Sequence, residues 1–425
     1  MTGPTPQLRI AVIGAGVAGL TAAYLLQRKH QVSLFEKNDY AGGHTHTVTL
    51  PDGPDQGLPI DTGFIVMNHR NYPLLTQLLE QLKVRVQDSE MSFSYHDPAS
   101  GLQYNGSDLN GIFAQRRNLF RPSFLWMLRE ILSFNREARA DLQAGRVGEL
   151  SLGDYLARGH YAESFIRHHI IPMGAAIWST PCDRMMSFPA RSFFQFLNNH
   201  GLLSLDDRPQ WKTVQGGSHT YVRKMLATFS GELFLNRPVQ QLRRTDNGVV
   251  LILPDGHSLN FDAAVMAAHA DETLGLLLDP TDDERRLLGA WTYQANATVL
   301  HTDPSVMPPL RRAWASWNYT REPTAGADGP ATLSYHMNRL QRLTASQDYF
   351  VTLNRSHPYP PAAVIKRLSY DHPTFTASAM AAQAGLANLN GVRHTYFCGS
   401  YLGYGFHEDA VRSGVMVARA FGVDL

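Results

Sequence analysis

The chain has 425 residues, of which 44% are hydrophobic and 18% charged, and its formal net charge is +1 at pH 7. This size predicts a globular protein of more than one ordinary domain, and the near-neutral charge argues against nucleic acid as a partner. Two cysteines exclude a disulfide framework, and we expect neither a secretory leader nor a membrane-spanning segment, hence a cytoplasmic location.

The first predicted elements form a nucleotide-binding unit. Residues 8–13, LRIAVI, predict a buried parallel strand because the run is short, apolar and rich in β-branched residues. Gly14, Gly16 and Gly19 follow in G-x-G-x-x-G spacing and open a helix, and a second strand ends in Glu36. Such glycines permit a tight turn, backbone approach to a pyrophosphate and close helix packing, while the acid can bind a ribose hydroxyl. This order of elements predicts a dinucleotide site.

Three further stretches carry a resemblance to a known family. A glycine pair, Gly42-Gly43, follows Glu36, and the segment LPIDTGFIVMN occupies residues 58–68. Residues 398–414, CGSYLGYGFHEDAVRSG, predict a glycine-bordered helix N-terminus, which favours an anionic group. Together with the first motif, these stretches resemble the flavoprotein superfamily of amine oxidases, protoporphyrinogen oxidases and phytoene desaturases. The resemblance implies that both ends of the chain meet at an FAD site.

The resemblance also implies which residues hold the FAD, and that they hold it non-covalently. The expected cofactor-binding residues are Gly14, Gly16, Val17, Ala18, Gly19, Glu36, Lys37, Gly42, Gly43, His44, Thr62, Gly63, Phe64, Val239, Gly399, Ser400, Phe406, His407, Glu408 and Asp409. Two positions depart from the family pattern. His44 stands where an arginine is common, and Ser400-Tyr401 stand where an acid is usual. Because histidine supplies less charge than arginine at pH 7, we expect His44 to do more than hold phosphate.

The implied fold is α/β and discontinuous in sequence. Residues 230–270 predict several short strands, and by resemblance Val239 lies against adenine while the strand near residue 265 returns to the nucleotide sheet. We expect a Rossmann-like FAD-binding domain with a second, mixed α+β substrate domain. The FAD-binding domain is expected at 1–82, 212–272 and 388–425, and the substrate domain at 83–211 and 273–387.

The middle of the chain carries two features that bear on partners. Residues 116–139 predict a basic helix with aromatic and aliphatic side chains, which either packs its apolar face on its own domain or lies in a lipid headgroup region. Residues 188–205 are apolar and aromatic, which suits a long hydrocarbon substrate. The histidine pairs at 44/46 and 168/169 lack the cysteines or carboxylates that complete a ligand set, so no metal site is expected.

The expected function follows from the resemblance. A second G-x-G-x-x-G motif after a strand is missing, so we expect no nicotinamide domain and electrons that come from the substrate. The first interpretation is an FAD-dependent oxidoreductase that dehydrogenates or isomerises an unsaturated or modified acyl chain, free or within a lipid, by hydride transfer to flavin N5. Two alternatives stay open: a flavin amine oxidase, and a flavin-binding protein without turnover.

The candidate catalytic residues are His407, Tyr404 and Lys366. Amine oxidation in the family uses a lysine near the flavin, and an aromatic pair could come from Tyr319 and Tyr404. The unperturbed pKa of histidine, about 6.5, suits proton exchange by His407 near neutral pH. The acids Glu408-Asp409 are expected to cap the last helix as well. The expected partner is an apolar or lipid molecule, with peripheral contact to the inner membrane face through residues 116–139.

Overall fold

The computed structural model of the chain describes residues 6–204, 206–322 and 332–425, so that parts of the predicted domain ranges, at 1–5, 205 and 323–331, lie outside the described residues. In chain order the strands are β1 (Arg9–Ile13), β2 (Gln31–Phe35), β3 (Thr47–Thr49), β4 (Pro59–Asp61), β5 (Val66–Met67), β6 (Val86–Asp88), β7 (Phe93–Asp97), β8 (Leu102–Asn105), β9 (Lys212–Val214), β10 (Glu232–Phe234), β11 (Gln241–Thr245), β12 (Gly248–Ile252), β13 (Ser258–Phe261), β14 (Ala263–Met266), β15 (Tyr293–His301), β16 (Trp317–Thr320), β17 (Thr332–His336), β18 (Phe350–Leu353), β19 (Val364–Pro373) and β20 (Thr395–Phe397).

Helices lie between many of these strands, and they are most frequent between residues 109 and 199. They are α1 (Val17–Leu26), α2 (Pro73–Gln81), α3 (Leu109–Ile112), α4 (Pro122–Gln143), α5 (Leu152–Arg158), α6 (Glu163–Phe165), α7 (Ile171–Trp178), α8 (Cys182–Met185), α9 (Ala190–Asn199), α10 (His219–Ala227), α11 (Ala270–Leu276), α12 (Asp282–Leu288), α13 (Met337–Leu340), α14 (Ala377–Leu386) and α15 (His407–Ala420).

The nucleotide half is built on a five-stranded parallel sheet in the order β10-β2-β1-β14-β20. Its central strand β1 is buried on both faces, as its apolar run predicts. Helix α15 packs on α1, where a Cβ at Gly414 would lie 2.5 Å from the carbonyl oxygen of Ala18. The last strand and the last helix of the chain therefore join the sheet and helix with which it begins, and the predicted α/β fold is confirmed.

The second half is a seven-stranded sheet in the order β19-β15-β18-β17-β16-β7-β8, and among its described strands only the β16–β7 pair is parallel. The helices between residues 109 and 199 pack with this sheet in one hydrophobic core, which also reaches residues of the nucleotide sheet. The described residues form three smaller sheets as well: β11-β12-β13, β3-β4 and β5-β9-β6. The exact boundaries expected for the two domains stay a prediction.

Helix α4 follows a short 3-10 turn at Arg116–Phe120 and contains most of the predicted basic helix. Its inner face buries Phe124, Met127 and Phe134 in the main core, so the packing interpretation of this segment is correct for one face. Across the described ranges, no helix is both long enough and apolar enough to cross a bilayer.

Candidate functional site

Each of the three glycines after β1 occupies its position for a different physical reason. Gly14 has φ +104°, a conformation that other residues resist. A Cβ at Gly19 would lie 2.0 Å from the carbonyl oxygen of Gly14, so only glycine lets α1 pack against the loop. A Cβ at Gly16 would have no neighbour within 4 Å among the described residues, so there is open space in front of this position.

That open space adjoins the N-terminus of α1. The helix starts at Val17, and Ala18 is its second residue. Within the described part of the chain, no side chain caps its first turn. The first N–H groups of a helix lack internal partners and carry partial positive charge, so they favour an anion. The end of the helix therefore offers donors to a phosphate at the place where Gly16 leaves room.

Glu36 stands directly after β2 and ties that strand to the glycine loop. Its carboxylate accepts hydrogen bonds from Ala15 N at 2.8 Å and from the backbone and side-chain nitrogens of Asn38 at 2.9 and 2.8 Å. Each carboxylate oxygen can accept a further bond, which a ribose hydroxyl could donate. The buried Val239 lies close by, because Arg237 N donates to the Glu36 carbonyl at 2.8 Å. In contrast, Lys37 is directed to the surface and forms an ion pair with Glu272.

The glycine pair packs on the same loop. Gly42 N donates to the Ala15 carbonyl at 2.7 Å, and a Cβ at Gly43 would be 3.1 Å from Gly16 Cα. Both residues have positive φ, at +129° and +58°, which explains why glycine occupies each position. The turn predicted from Gly42-Gly43 therefore forms one wall of the open space at Gly16.

The segment after the glycine pair is held by the start of the stretch at residues 58–68. Phe64 N donates to the His44 carbonyl at 2.7 Å, and a Cβ at Gly63 would be 2.1 Å from that oxygen. Thr62 donates from its backbone and its hydroxyl to the His46 carbonyl, each at 2.9 Å. The predicted residues Thr62, Gly63 and Phe64 thus support the His44 segment.

His44 lies in a group of buried and partly buried rings. Its ring centroid is 5.0 Å from that of Tyr370 and 5.4 Å from that of His372, both on β19. Burial, with the positive charge that neighbouring histidines would carry, lowers the pKa of His44 well below 6.5. Within the part of the chain that the structure describes, its buried Nε2 has no hydrogen-bond partner. His44 is therefore a neutral group that is available for a partner from outside the chain.

The C-terminal stretch approaches the site through a glycine-rich turn before α15. Gly399 N donates to Ser413 Oγ at 2.9 Å, and the Ser400 carbonyl accepts from Gly403 N and Gly405 N. Phe406 then stacks on Phe196 with centroids 4.6 Å apart, which brings the turn onto the aromatic helix α9.

His407 belongs to a second, partly buried group, beside the first. Its Nε2 lies 2.6 Å from the Tyr221 hydroxyl and 3.1 Å from Thr45 Oγ1, and its ring stacks on Phe64 at a centroid distance of 3.7 Å. Burial lowers its pKa to about 3, so the ring is neutral at pH 7. The expectation that His407 titrates near neutral pH is wrong, although its participation in catalysis stays a prediction.

The acidic pair serves the fold in a different way from the one expected. The Glu408 carboxylate accepts from Leu74 N and Leu75 N, both at 3.0 Å, so it caps the N-terminus of α2 and not that of its own helix. Asp409 does cap α15, because it accepts from Phe406 N at 3.1 Å. Burial raises the pKa of both carboxyl groups. Both acids are engaged by the backbone around the site.

In the described part of the chain, the other two catalytic candidates make no hydrogen bond or ring contact with His44 or His407. Lys366 is exposed on β19, on the same face of the strand as Tyr370 but toward its start. Tyr404 packs edge-on against Phe196, whereas Tyr319 contacts the Cys182 thiol at 3.1 Å. The aromatic pair expected from Tyr319 and Tyr404 therefore has separate partners in the structure.

Several residues of the site were missed by sequence reasoning. They are Thr45, Tyr221, Tyr370 and His372. One signal was available, since Tyr370 and His372 alternate on a strand as His44 and His46 do along their segment. Tyr221, on α10, carries no such pattern, and only the packing of distant segments reveals its contact with His407.

Comparisons with known proteins agree on one family. A family model described as flavin containing amine oxidoreductase matches residues 17–421. The 15-cis-phytoene desaturase of Arabidopsis thaliana is 27% identical over 301 residues, which cover 65% of this chain and 50% of the relative. The chain spans about half the length, or less, of the curated relatives it matches first.

Solved structures show the same fold at low identity. Putrescine oxidase, wild type with bound putrescine, has a TM-score of 0.67 at 16% identity and covers 98% of this chain and 99% of its own. The CLA-producing fatty acid isomerase from P. acnes has a TM-score of 0.66 at 17% identity and covers 97% of this chain and 99% of its own. At these identities the likeness concerns the fold alone.

Proposed function

Since this chain belongs to the flavin-containing amine oxidoreductase family, and is therefore an FAD-dependent oxidoreductase, we propose that its substrate is an unsaturated or modified acyl chain. The reaction proposed is dehydrogenation or double-bond isomerisation of that chain, either as a free fatty acid or within a lipid.

The residues present fit the cofactor of the family. Space at Gly16, the uncapped first turn of α1 and the unpartnered Nε2 of His44 are three places where the chain offers room or hydrogen bonds to an outside group. The glycine loop would hold the phosphates and Glu36 the ribose. When bound, FAD supplies the acceptor for two electrons from the substrate.

The observation that carries the substrate proposal is that three buried acids around the site already have hydrogen-bond partners within the chain. Asp61 accepts from Thr47 Oγ1 and Ser218 N, and Glu408 and Asp409 accept from the backbone groups named above. The carboxylates of these three residues are thus already engaged. A cationic amine would lose its hydration without gaining a free carboxylate, whereas an apolar chain has no such requirement.

The histidines and tyrosines of the site are neutral as well. Burial lowers the pKa of His372 to about 4, as it lowers that of His407. Burial also raises the pKa of Tyr221 and Tyr370 above the usual value of 10. In this setting Nε2 of the uncharged His407 either donates its N–H to one of the Tyr221 and Thr45 hydroxyls or accepts a hydrogen bond from one of them. We assign it the task of orienting these hydroxyls.

An aromatic layer extends from the site into the helices of the second half. Trp178 lies 4.6 Å from Phe188 and 4.9 Å from Phe196 between ring centroids, and Phe196 stacks on Phe406, the residue before His407. Ring faces of this kind pack well against hydrocarbon. The layer makes the surroundings of Phe406 apolar, which suits a long hydrocarbon chain.

Two relatives support a long apolar substrate by their names. The desaturase of Arabidopsis thaliana is named for phytoene, and the structure from P. acnes is titled a fatty acid isomerase. The name of the putrescine oxidase structure supports an amine substrate in the same way. The neutral side chains of the site favour an apolar substrate over an amine.

Anaerobic mixing tests the proposal. The FAD-loaded protein is mixed with unsaturated fatty acids, with phospholipids that carry them, or with primary amines, and the flavin absorbance is followed, with free FAD as the control. Bleaching by the lipids, with loss of two hydrogens by mass spectrometry, supports dehydrogenation, and a product of unchanged mass with a moved double bond supports isomerisation. Bleaching by amines alone, or an unchanged flavin and unchanged substrates, contradicts the proposal.

A further inference from the structure

A group of large apolar side chains lies exposed on the surface of residues 109–132. Phe120 is 86% exposed, Leu109 74% and Trp126 51%. Leu119, Leu125 and Leu132 are also exposed. Single apolar residues are ordinary on a protein surface, but several on one continuous segment mark an interaction site. We call this group of six residues the apolar patch.

The apolar patch is distinct from the face by which α4 packs on the protein. Phe124, Met127 and Phe134 point inward into the main core, while Leu125 and Trp126 lie on the opposite side of the helix. A surface helix normally exposes polar residues on its outer face. Helix α4 instead has apolar residues on both faces, and only the inner set is covered within the described chain.

The segment of the apolar patch also contains arginines whose charges are not neutralised by an acid. Residues 109–132 contain Arg116, Arg117, Arg121 and Arg129, and a single acid, Glu130, which is buried. Throughout the described ranges, none of these four arginines forms an ion pair with a carboxylate. Arg116 donates to the neutral Phe113 carbonyl and to Asn110 Oδ1, so its charge stays uncompensated.

The side chains have the arrangement that suits a lipid headgroup region. The guanidinium of Arg129 lies 4.9 Å from the centre of the Trp126 ring. Tryptophan concentrates at membrane interfaces, where its ring meets acyl chains and its N–H meets polar groups, and arginine keeps its charge beside phosphates there. Apolar residues that enter the bilayer edge, with cations that meet anionic headgroups around them, bind a membrane surface without crossing it.

We propose that the apolar patch and its arginines dock the protein onto an anionic lipid bilayer. Charge complementarity favours this partner over a second copy of the chain. A two-fold contact through the same surface would bring the arginines of both copies together, and like charges oppose such a contact. The proposal goes beyond the proposed reaction, since docking requires no turnover, and the two can fail independently.

Vesicle flotation tests the docking. The FAD-loaded protein is mixed with vesicles of phosphatidylcholine alone, or of phosphatidylcholine and phosphatidylglycerol in equal parts, and the fraction that floats is measured. We expect flotation with the anionic vesicles only, reversed by high salt because headgroup attraction is screened. Trp126 fluorescence should shift to the blue on binding, and the shift should be absent in Trp126→Phe.

Variants separate the two components of the surface. Arg116→Gln with Arg117→Gln should lower the partition coefficient about five-fold for each arginine. Phe120→Ser with Trp126→Ser should lower it about ten-fold or more, since both side chains are exposed and contribute little to folding. Leu278→Ser, an exposed leucine outside the segment, is the matched control and should bind as the parent does.

Three results would overturn the proposal. The first is equal flotation with neutral and anionic vesicles. The second is unchanged binding in the Phe120→Ser, Trp126→Ser variant, measured against the Leu278→Ser control. The third is a concentration-dependent dimer in sedimentation that this double variant abolishes, without vesicle binding by the parent, which would assign the patch to a second copy.

Discussion

The glycine loop and the surroundings of His407 use their residues in different ways. Around Gly16 the site is made by the backbone: positive φ angles, a helix N-terminus and approaches too close for a Cβ. Around His407 and Phe406 it is made by side chains from distant segments, which stack and share hydrogen bonds. Backbone requirements restrict residue type strongly, whereas aromatic packing can be satisfied by many sequences. Single changes should therefore have larger effects in the first region.

The largest expected effect separates two glycines of one motif. Gly19→Ala places a Cβ 2.0 Å from the Gly14 carbonyl and should destabilise the fold by about 3 kcal/mol or more. Gly16→Ala meets no described neighbour within 4 Å, so it should fold normally but lose FAD, because the methyl group enters the open space. Urea unfolding and flavin content measure the two effects. Equal loss of stability in both variants would contradict the comparison.

Glu408 tests whether a side chain of the C-terminal stretch acts as a backbone support. Glu408→Ala leaves the buried N–H groups at the start of α2 without their charged acceptor and should cost about 3 kcal/mol. Glu408→Gln keeps one acceptor oxygen and should lose less. The urea midpoints of the two variants give the order, and a normal midpoint for the alanine variant would mean that the cap contributes nothing.

Glu36 should have an intermediate effect, directed at the cofactor. Glu36→Ala removes the acceptor for Ala15 N and for the ribose, and should weaken FAD binding by about 2 kcal/mol. Titration of the FAD-free protein with FAD, followed by fluorescence quenching, measures the change. Full affinity in this variant would show that the acid serves only the loop.

The neutral histidines predict acid sensitivity in the second region. The folded pKa of His407, about 3, lies below the unfolded value of about 6.5, so the unfolded state binds more protons between these values and stability falls as the pH falls. From pH 7.5 to pH 5.5 this residue should account for a loss of about 1.4 kcal/mol. His407→Gln should remove that share, whereas His357→Gln, at an exposed position, should not. An identical pH profile in the parent and His407→Gln would refute a neutral His407.

The smallest effect is expected at Lys366. Its side chain is exposed on β19, so Lys366→Ala should change the free energy of unfolding by less than about 0.5 kcal/mol. Turnover of an acyl substrate should also be unchanged. A loss of flavin reduction by an amine in this variant would instead favour the amine oxidase interpretation.

The sequence-based predictions succeeded where a local requirement leaves a residue pattern. Gly14, Gly19 and the return of the last helix could be read because a turn, a helix contact and a strand each require particular residue types. Predictions that depended on surroundings did less well. His407 was expected to titrate near neutrality and Glu408 to cap its own helix, but burial and the neighbouring α2 decide otherwise.

The sequence by itself determined the α/β class, the glycine loop with its terminal acid, and the family that these motifs share. Such features are set by steric limits and hydrogen bonds within a few residues, so they are visible along the chain. Only the tertiary structure decided that Tyr221 and Thr45 meet His407, and which side of α4 stays uncovered. These outcomes depend on desolvation and on contacts between residues hundreds of positions apart. The periodicity of the sequence does not predict which distant segments will pack together.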